Sequence, residues 1–520
     1  MKNLRKIAIS VLAVLLFASC TNDADYANLI PDDAYVVAKF NVAQIIDKAD
    51  INSDNSLTET LIDGIKDAEL TAETKDKLTE IINNPAELGI DVRKPIYFYM
   101  CDEQEFGVVG AVSDDAKLEE LLSAASNEGA CSDIIKEDMY SYVSVENEIV
   151  IAYDASRIII HPLTYDERND ETELTANINK QFNLGTENSI VSNEAFSNVM
   201  SNDNDLSYYM SGNAMKILAE EDKDFREIMQ MYETLNINVD EIDYIATINF
   251  DNGETNMTYE VIPTSDKAEE TLNLLEDCYS DISGVHFDYL KSSSVVAIAC
   301  GFNGKGLIKF LEETEILDLI TNNADDEDNE LIHTILGTIE SIDGDITVGV
   351  SELDSKSMPK CKAIVETKDN SLFNLLEMSL NQNGEFQQVS DSQYTLGFGE
   401  TSMTFGVDGS DTYFLIGETQ LEEESSSLDD SDFNGKKFCA YIYVDELIES
   451  EMFEDYFRYN QEYKLFVKPI IKKISNVEVT GNSRKAELKI KMKDSDTNLL
   501  TEMCKTLNQV ISAFHSQLNW

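Results

Sequence analysis

Val112-Ser-Asp-Asp115-Ala-Lys-Leu118-Glu-Glu-Leu121-Leu122 and Val365-Glu-Thr-Lys-Asp369-Asn-Ser-Leu372-Phe-Asn-Leu375-Leu376 decide how this chain is read. Counted from Asp115 and from Asp369, leucines fall at +3, +6 and +7 in both stretches. In each, a strand ends, an acidic residue caps the free N–H groups of a helix, and the leucine spacing lays one apolar stripe against a sheet. Looser versions follow Val261 (Ser265-Asp266, then Leu272 and Leu275) and Ile490 (Asp494 and Asp496, then Leu499, Leu500 and Met503). The strands ahead of them, at 257–261 and 488–492, alternate with period two. A second element, an apolar strand running into a helix, recurs four times, at 35–46, 206–218, 295–311 and 438–448.

A hairpin reads out of 140–153, with Glu146-Asn147-Glu148 at its turn, and its counterpart at 394–407 turns near Gly399-Glu400. Asp115 and Tyr140 are 25 residues apart, as are Asp369 and Tyr394, and both pairs are offset by 254. The strands beginning at Ile242 and Ile474 are offset by 232, and the difference of 22 is absorbed by a polar connector at about 162–200 that is longer than its counterpart at 420–436. The fold class expected is α+β: two tandem duplicated halves, 27–284 and 285–520, each an antiparallel sheet covered on one face by helices. The arrangement is distantly like a split ferredoxin-type fold. Chance similarity of amphipathic elements is the competing explanation, and the two equal spacings weigh against it.

The chain has 520 residues, 42% of them apolar and 9% aromatic, enough to build cores and to exclude wholesale disorder. Acidic residues outnumber basic ones 99 to 39, for a formal charge of −60. A surface of that sign repels phosphate backbones, so nucleic acid is excluded as a partner, and docking on anionic lipid is disfavoured.

Residues 1–19 have the form of a secretory signal peptide: Lys2, Arg5 and Lys6, then an apolar run from Ile7 to Phe17 too short to span a bilayer, then small residues. Leu16-Phe17-Ala18-Ser19-Cys20 resembles the lipobox of bacterial lipoproteins, with Phe17 where an aliphatic residue is usual. The resemblance implies that Cys20 is the lipidation site, its thiol carrying diacylglycerol, and that 20–30 form a lipidated tether. Loss of residues 1–19 takes the charge from −60 to −63. An ordinary cleaved signal beside a chance cysteine is the alternative. No other stretch reaches 18 apolar residues, so no transmembrane helix is expected.

The seven remaining cysteines, 101, 131, 278, 300, 361, 439 and 504, are odd in number, widely scattered and without a CxxC, which suits buried apolar side chains better than a disulfide framework. Histidines 161, 286, 333 and 515 fall in no HExxH or triad context, and no GxSxG or P-loop occurs. Asp430-Ser-Asp432-Phe-Asn434-Gly435 matches the opening of a calcium loop, but the position needing a bidentate Glu is Tyr441. No metal site, cofactor or catalytic residue is therefore expected, only weak divalent-cation binding by acidic loops. Sugar platforms favour exposed Trp, and the single Trp is Trp520, which leaves Tyr to do that work.

The lipobox followed by Leu29-Ile-Pro31-Asp-Asp-Ala-Tyr-Val-Val37, and Asp243-Tyr-Ile-Ala-Thr-Ile-Asn-Phe250-Asp-Asn-Gly253, resemble an uncharacterised family of envelope lipoproteins of Bacteroides-type bacteria, over nearly the whole mature chain. That resemblance carries no activity and no functional residue beyond Cys20. It implies an outer-membrane lipoprotein on the cell surface or the periplasmic face, and Asp23 and Asp25 after the cysteine accompany surface export in such proteins. The expected function is a non-enzymatic binding or structural module for an envelope protein or a glycan. Surface glycan binding and a carboxylate-dependent hydrolase are the alternatives.

Overall fold

The computed structural model describes residues 25–50, 56–101, 105–234, 237–290, 294–322, 326–353, 358–380, 386–398, 401–423, 433, 435–460 and 463–518. In chain order the strands begin with β1 (Val36–Phe40), β2 (Ile96–Met100), β3 (Phe106–Ala111), β4 (Ile135–Lys136) and β5 (Ser141–Val145). They continue with β6 (Ile149–Tyr153), β7 (Arg157–Pro162), β8 (Leu206–Ser211), β9 (Ile242–Asp251) and β10 (Glu254–Pro263). Then come β11 (Val296–Asn303), β12 (Ile342–Ser351), β13 (Lys360–Thr367), β14 (Gln387–Ser390) and β15 (Gln393–Phe398). Last are β16 (Thr401–Asp408), β17 (Asp411–Ile416), β18 (Phe438–Tyr443), β19 (Ile474–Gly481) and β20 (Lys485–Met492). With helices between them, the chain is α+β.

Two compact units form. The first gathers residues up to 217 with 243–252 and 497 onward, and the second gathers 218–242 and 253–496. In the first, the antiparallel strand order is β4-β5-β6-β7-β3-β2-β1-β8-β9. In the second it is β14-β15-β16-β17-β13-β12-β11-β18-β19-β20-β10. The first nine positions of the two orders correspond strand for strand, each number raised by ten.

The compact units do not divide at residue 284. Helix Asp266–Glu276 packs on helix Gly304–Glu313 in the second unit, and helix Leu499–Leu518 packs on helix Val42–Ala49 in the first. Amphipathic spacing declares that a helix has an apolar face. It does not declare which neighbour receives it.

In the first unit, Leu118, Leu121 and Leu122 are all buried, against Val143, Val145, Ile151 and Tyr153 of the sheet. The helix cap is Asp114, not Asp115: its carboxylate accepts the Lys117 N–H at 3.2 Å. Ser265 of the Ser265-Asp266 pair caps its helix, accepting the Ala268 N–H at 3.1 Å, and Asp369 accepts the Ser371 N–H at 2.8 Å, whereas the cap expected at Asp494 or Asp496 falls on Asn498, which accepts the Thr501 N–H at 2.8 Å. The expected hairpin turn forms at Glu146 and Asn147, whose φ of 51° and 58° are left-handed. Its counterpart at Gly399-Glu400 lies outside the described residues.

The polar connector is folded. Helix Tyr165–Asn169 begins with a reciprocal Thr164–Glu167 capping box, and helices Glu171–Phe182 and Glu194–Met200 follow. Leu174, Ile178, Phe182, Phe196 and Val199 are buried. The expectation of helices on one sheet face is corrected with it. Phe182 stacks on Tyr140 (5.2 Å between rings), Glu171 accepts from Tyr142 at 3.3 Å, and Gln181 donates to Tyr99 at 2.6 Å. These helices seal the face opposite Val143 and Val145, so β5 and β6 are buried on both sides.

Candidate functional site

The residues singled out from the sequence do not converge. Cys20 lies outside the described residues, as do Trp520 and the calcium-like positions Asp430, Asp432 and Asn434. Tyr441 is a strand residue paired with Glu478, so it cannot complete a loop. His161, on β7, is mostly buried and its Nδ1 lies 3.0 Å from the Pro162 carbonyl; burial holds its pKa below the ordinary value. His286 is buried with Nε2 3.4 Å from Asp411, His333 is exposed, and the side chain of His515 lies outside the described residues. Among the described residues no group of three His, Cys, Asp or Glu is placed to hold a metal ion.

The buried carboxylates have structural partners. Asp205 accepts Lys48 Nζ at 2.8 Å and the Phe250 N–H at 2.6 Å. Asp345 accepts Ser283 N and Gly284 N at 3.0 and 2.7 Å. Asp243 of the Asp243-Tyr-Ile-Ala stretch accepts from Tyr209 (3.1 Å) and Asn193 (3.3 Å), and burial raises its pKa. Its role is to tie β9, β8 and helix Glu194–Met200 together. Gly253 of the same stretch has a φ of 81°, which the turn after β9 requires.

None of the described cysteines 101, 131, 278, 300, 361, 439 and 504 is in a disulfide. Burial pushes Cys131 and Cys278 up to about 11 and Cys439 to about 12, so the thiolates needed for nucleophilic attack are scarce at neutral pH.

What the fold does build is a cleft. In the first unit, helix Ala72–Asn83 stands off helix Asp115–Asn127, and between them lies a cavity of about 80 Å³ above β5 and β6. Leu70, Leu78, Leu121 and Leu122 line its walls, and Val145 and Ile151 its floor. Ala124, Ala125 and Ala130 leave the width that larger side chains would fill, and the neutral Cys131 thiol, donating to the Leu122 carbonyl at 3.5 Å, completes the wall.

Polar groups in the lining are confined to Thr74, Lys77 and Glu128. One carboxylate oxygen of Glu128 accepts Thr71 N (2.9 Å), Thr71 Oγ1 (2.6 Å) and Thr74 Oγ1 (2.7 Å), which holds the carboxyl below the usual range. Glu128 thereby pins the first turn of the outer helix. Lys77 Nζ pairs with Glu120 at 2.8 Å, and that bond raises its pKa. Both groups are charged at neutral pH. Sequence reasoning missed this site because a gap between two amphipathic helices leaves no motif; the run of small residues at 124, 125 and 130 was its only trace.

Between residues 26 and 500 the sequence matches the family described as Domain of unknown function (DUF4836). No curated protein matches it. Among solved structures, crystal forms IV and III of TP0453 are similar to this chain at 12% and 11% identity. They align over 46% and 50% of this chain and 80% and 88% of their own, with TM-scores of 0.25 and 0.24. By the match that spans residues 26–500, the chain belongs to the DUF4836 family, whose function is unknown.

Proposed function

We propose that the protein is a non-enzymatic binding module of the cell envelope, moored by lipid on Cys20, and that the cleft between helices Ala72–Asn83 and Asp115–Asn127 is where it binds. The observation that carries this is a cavity of about 80 Å³ with an aliphatic lining and few polar groups, room for a small apolar group. The signal-peptide pattern and lipobox support the mooring. The matched strand orders of the two units support a duplicated scaffold, in which the second copy needs no site of its own.

The test is a titration with N-phenyl-1-naphthylamine, a neutral probe that fluoresces in apolar surroundings. Saturable binding that Ala125→Phe abolishes is expected. Binding that is absent, or unchanged in the variant, overturns the assignment of the cleft. A surface glycan platform is the second reading, favoured by Tyr456 and Tyr459, which are 82% and 89% exposed. No melting-temperature shift across a polysaccharide panel removes it.

A further inference from the structure

We infer that the segment 452–473 docks on an anionic lipid surface, its exposed tyrosines entering the headgroup layer and its lysines meeting the lipid phosphates. The surface lies outside the cleft and goes beyond the binding-module reading.

The apolar half of the argument is exposure. Helix Glu451–Tyr456, the π-helical turn Tyr463–Val467 and the short helix Lys468–Ile471 follow one another here. Three rings pack on each other beneath the surface: Phe457 stacks on Tyr463 with centroids 4.1 Å apart, and Phe453 lies 4.9 Å from Phe457 and 5.8 Å from Tyr463. Outside that cluster, Met452, Tyr456, Tyr459, Leu465 and Val467 are left exposed. Among the described residues no other stretch of this length exposes as many large apolar side chains, and the two tyrosines are the most exposed of all. Clustered apolar exposure marks an interaction surface, and tyrosine, with an apolar ring and a polar tip, suits the boundary between lipid and water.

The polar half is charge. Acidic residues outnumber basic ones 99 to 39 in the chain, yet from Tyr456 to Lys473 the basic residues Arg458, Lys464, Lys468, Lys472 and Lys473 stand against Glu462 alone. The two carboxylates just before them are already neutralised: Asp455 pairs with Arg458, and Glu454 with Lys468. The Lys468 bond, helped by the charges of Lys472 and Lys464, holds the Glu454 carboxyl below the usual range. Lys464 and Lys472 are exposed. Lys464 donates to the Arg458 carbonyl at 2.5 Å, and an ammonium has two further donors to offer. Exposed ion pairs are weak and exchange partners readily, so Arg458 and Lys468 can join them.

The net charge of the chain opposes this docking only at long range. At physiological salt, charges more than about 8 Å away are largely screened, so the sign next to the membrane decides. Each Lys or Arg at an anionic surface is worth about five-fold in affinity. A neutral glycan could use the tyrosine rings but has no use for the cations, whereas an anionic headgroup layer uses both.

The experiment is flotation with vesicles at physiological ionic strength. It uses the mature chain without Cys20, residues 21–520, so that neither the basic and apolar stretch at 1–19 nor an acyl group binds in place of the segment; every described residue is kept. Binding to vesicles of phosphatidylglycerol and phosphatidylcholine in equal parts is expected, with roughly ten-fold weaker binding to phosphatidylcholine alone. Lys464→Gln/Lys472→Gln should weaken binding to the anionic vesicles roughly ten-fold, and Tyr456→Ser/Tyr459→Ser should do the same. All four side chains are exposed, so an unchanged melting temperature checks that both variants fold. No binding to anionic vesicles, equal binding to the two kinds, or binding that either variant leaves unchanged overturns the inference. Retention of a neutral polysaccharide through the same tyrosines, without vesicle binding, also overturns it and gives those residues to the glycan reading. N-phenyl-1-naphthylamine binding is read separately, so failure here leaves the cleft standing.

Discussion

Asn498 donates its side-chain N–H to the carbonyl of Lys48 at 2.8 Å, across 450 residues of sequence. Thr501 Oγ1 donates to the same carbonyl at 2.7 Å. Asn498 is only 4% exposed, and its Oδ1 also caps helix Leu499–Leu518 through the Thr501 N–H. One side chain thus starts that helix and fastens it to helix Val42–Ala49. Asn498→Ala removes a cap and a buried hydrogen bond, and about 2 kcal/mol of stability should go with them. Urea unfolding checks this; a loss of only a few tenths would mean that the helix is held by its apolar face alone.

Lys48 also reaches Asp205, which has no exposed surface, at 2.8 Å, and Asp251 at 3.1 Å. Burial works against the lysine charge, yet the bonds to Asp205 and Asp251 outweigh it and its pKa is raised. Lys48→Met strands the Asp205 carboxylate with the Phe250 N–H as its remaining partner described above. The expected cost is about 2 kcal/mol, part of which returns in the double variant Lys48→Met/Asp205→Asn. A double variant no better than the single one would show that the two residues are not coupled.

Substituting two glycines should have opposite consequences. A Cβ on Gly306 would sit 1.9 Å from the Asp277 carbonyl oxygen, where the end of helix Asp266–Glu276 meets the start of helix Gly304–Glu313. Asn303 holds that junction, donating to the same carbonyl at 2.9 Å and accepting the Gly306 N–H at 3.2 Å. Gly306→Ala should cost about 2 kcal/mol as the backbone shifts. Gly337, within helix Asp326–Ser341, has nothing within 4 Å of its Cβ direction. Gly337→Ala should stabilise by about 0.5–1 kcal/mol through helix propensity alone. Melting temperatures moving in the same direction for both would contradict this packing.

His161 sets a pH dependence. Its folded pKa lies below the ordinary 6.5 because burial disfavours the imidazolium, although the Pro162 carbonyl and Glu167 pull the other way. A depressed folded value means that the unfolded chain binds the proton first, so stability is full above about 6.5 and declines as pH falls below it. Urea midpoints at pH 7.5 and 5.5 should therefore differ more for the unsubstituted protein than for His161→Gln. Carboxylate titration is common to both proteins and cancels in the comparison. Equal differences would place the histidine in a solvated setting.

Much of the fold was legible. The leucines of 118–122, the strand–helix units and the Glu146-Asn147 turn followed from periodicity and turn chemistry, because these are local. The connector's helices are harder to read from its polar composition, although local signals are there: a Thr164…Glu167 capping box, a cap at Asp170, and Leu174, Ile178 and Phe182 at helical spacing. Its polar composition outweighed that pattern, and so the second covered face of β5 and β6 went unseen. The pairing of helix Leu499–Leu518 with helix Val42–Ala49 could not be read, since periodicity gives a face without a partner. The cleft was hidden for the same reason: it is a distance between helices, and only small side chains betray it. Asp243 stood out as part of a sequence feature, but its role as a tie to Tyr209 and Asn193 needed three separate segments to be brought together.

Methyl-resolved NMR of the Cys20→Ala chain during titration with N-phenyl-1-naphthylamine tests the binding site most directly. Shifts concentrated on Leu70, Leu78, Leu121, Leu122, Val145 and Ile151, saturating together at one equivalent, are the expected result. Shifts that are absent there, or that gather on methyls of residues 253–496 instead, would contradict it.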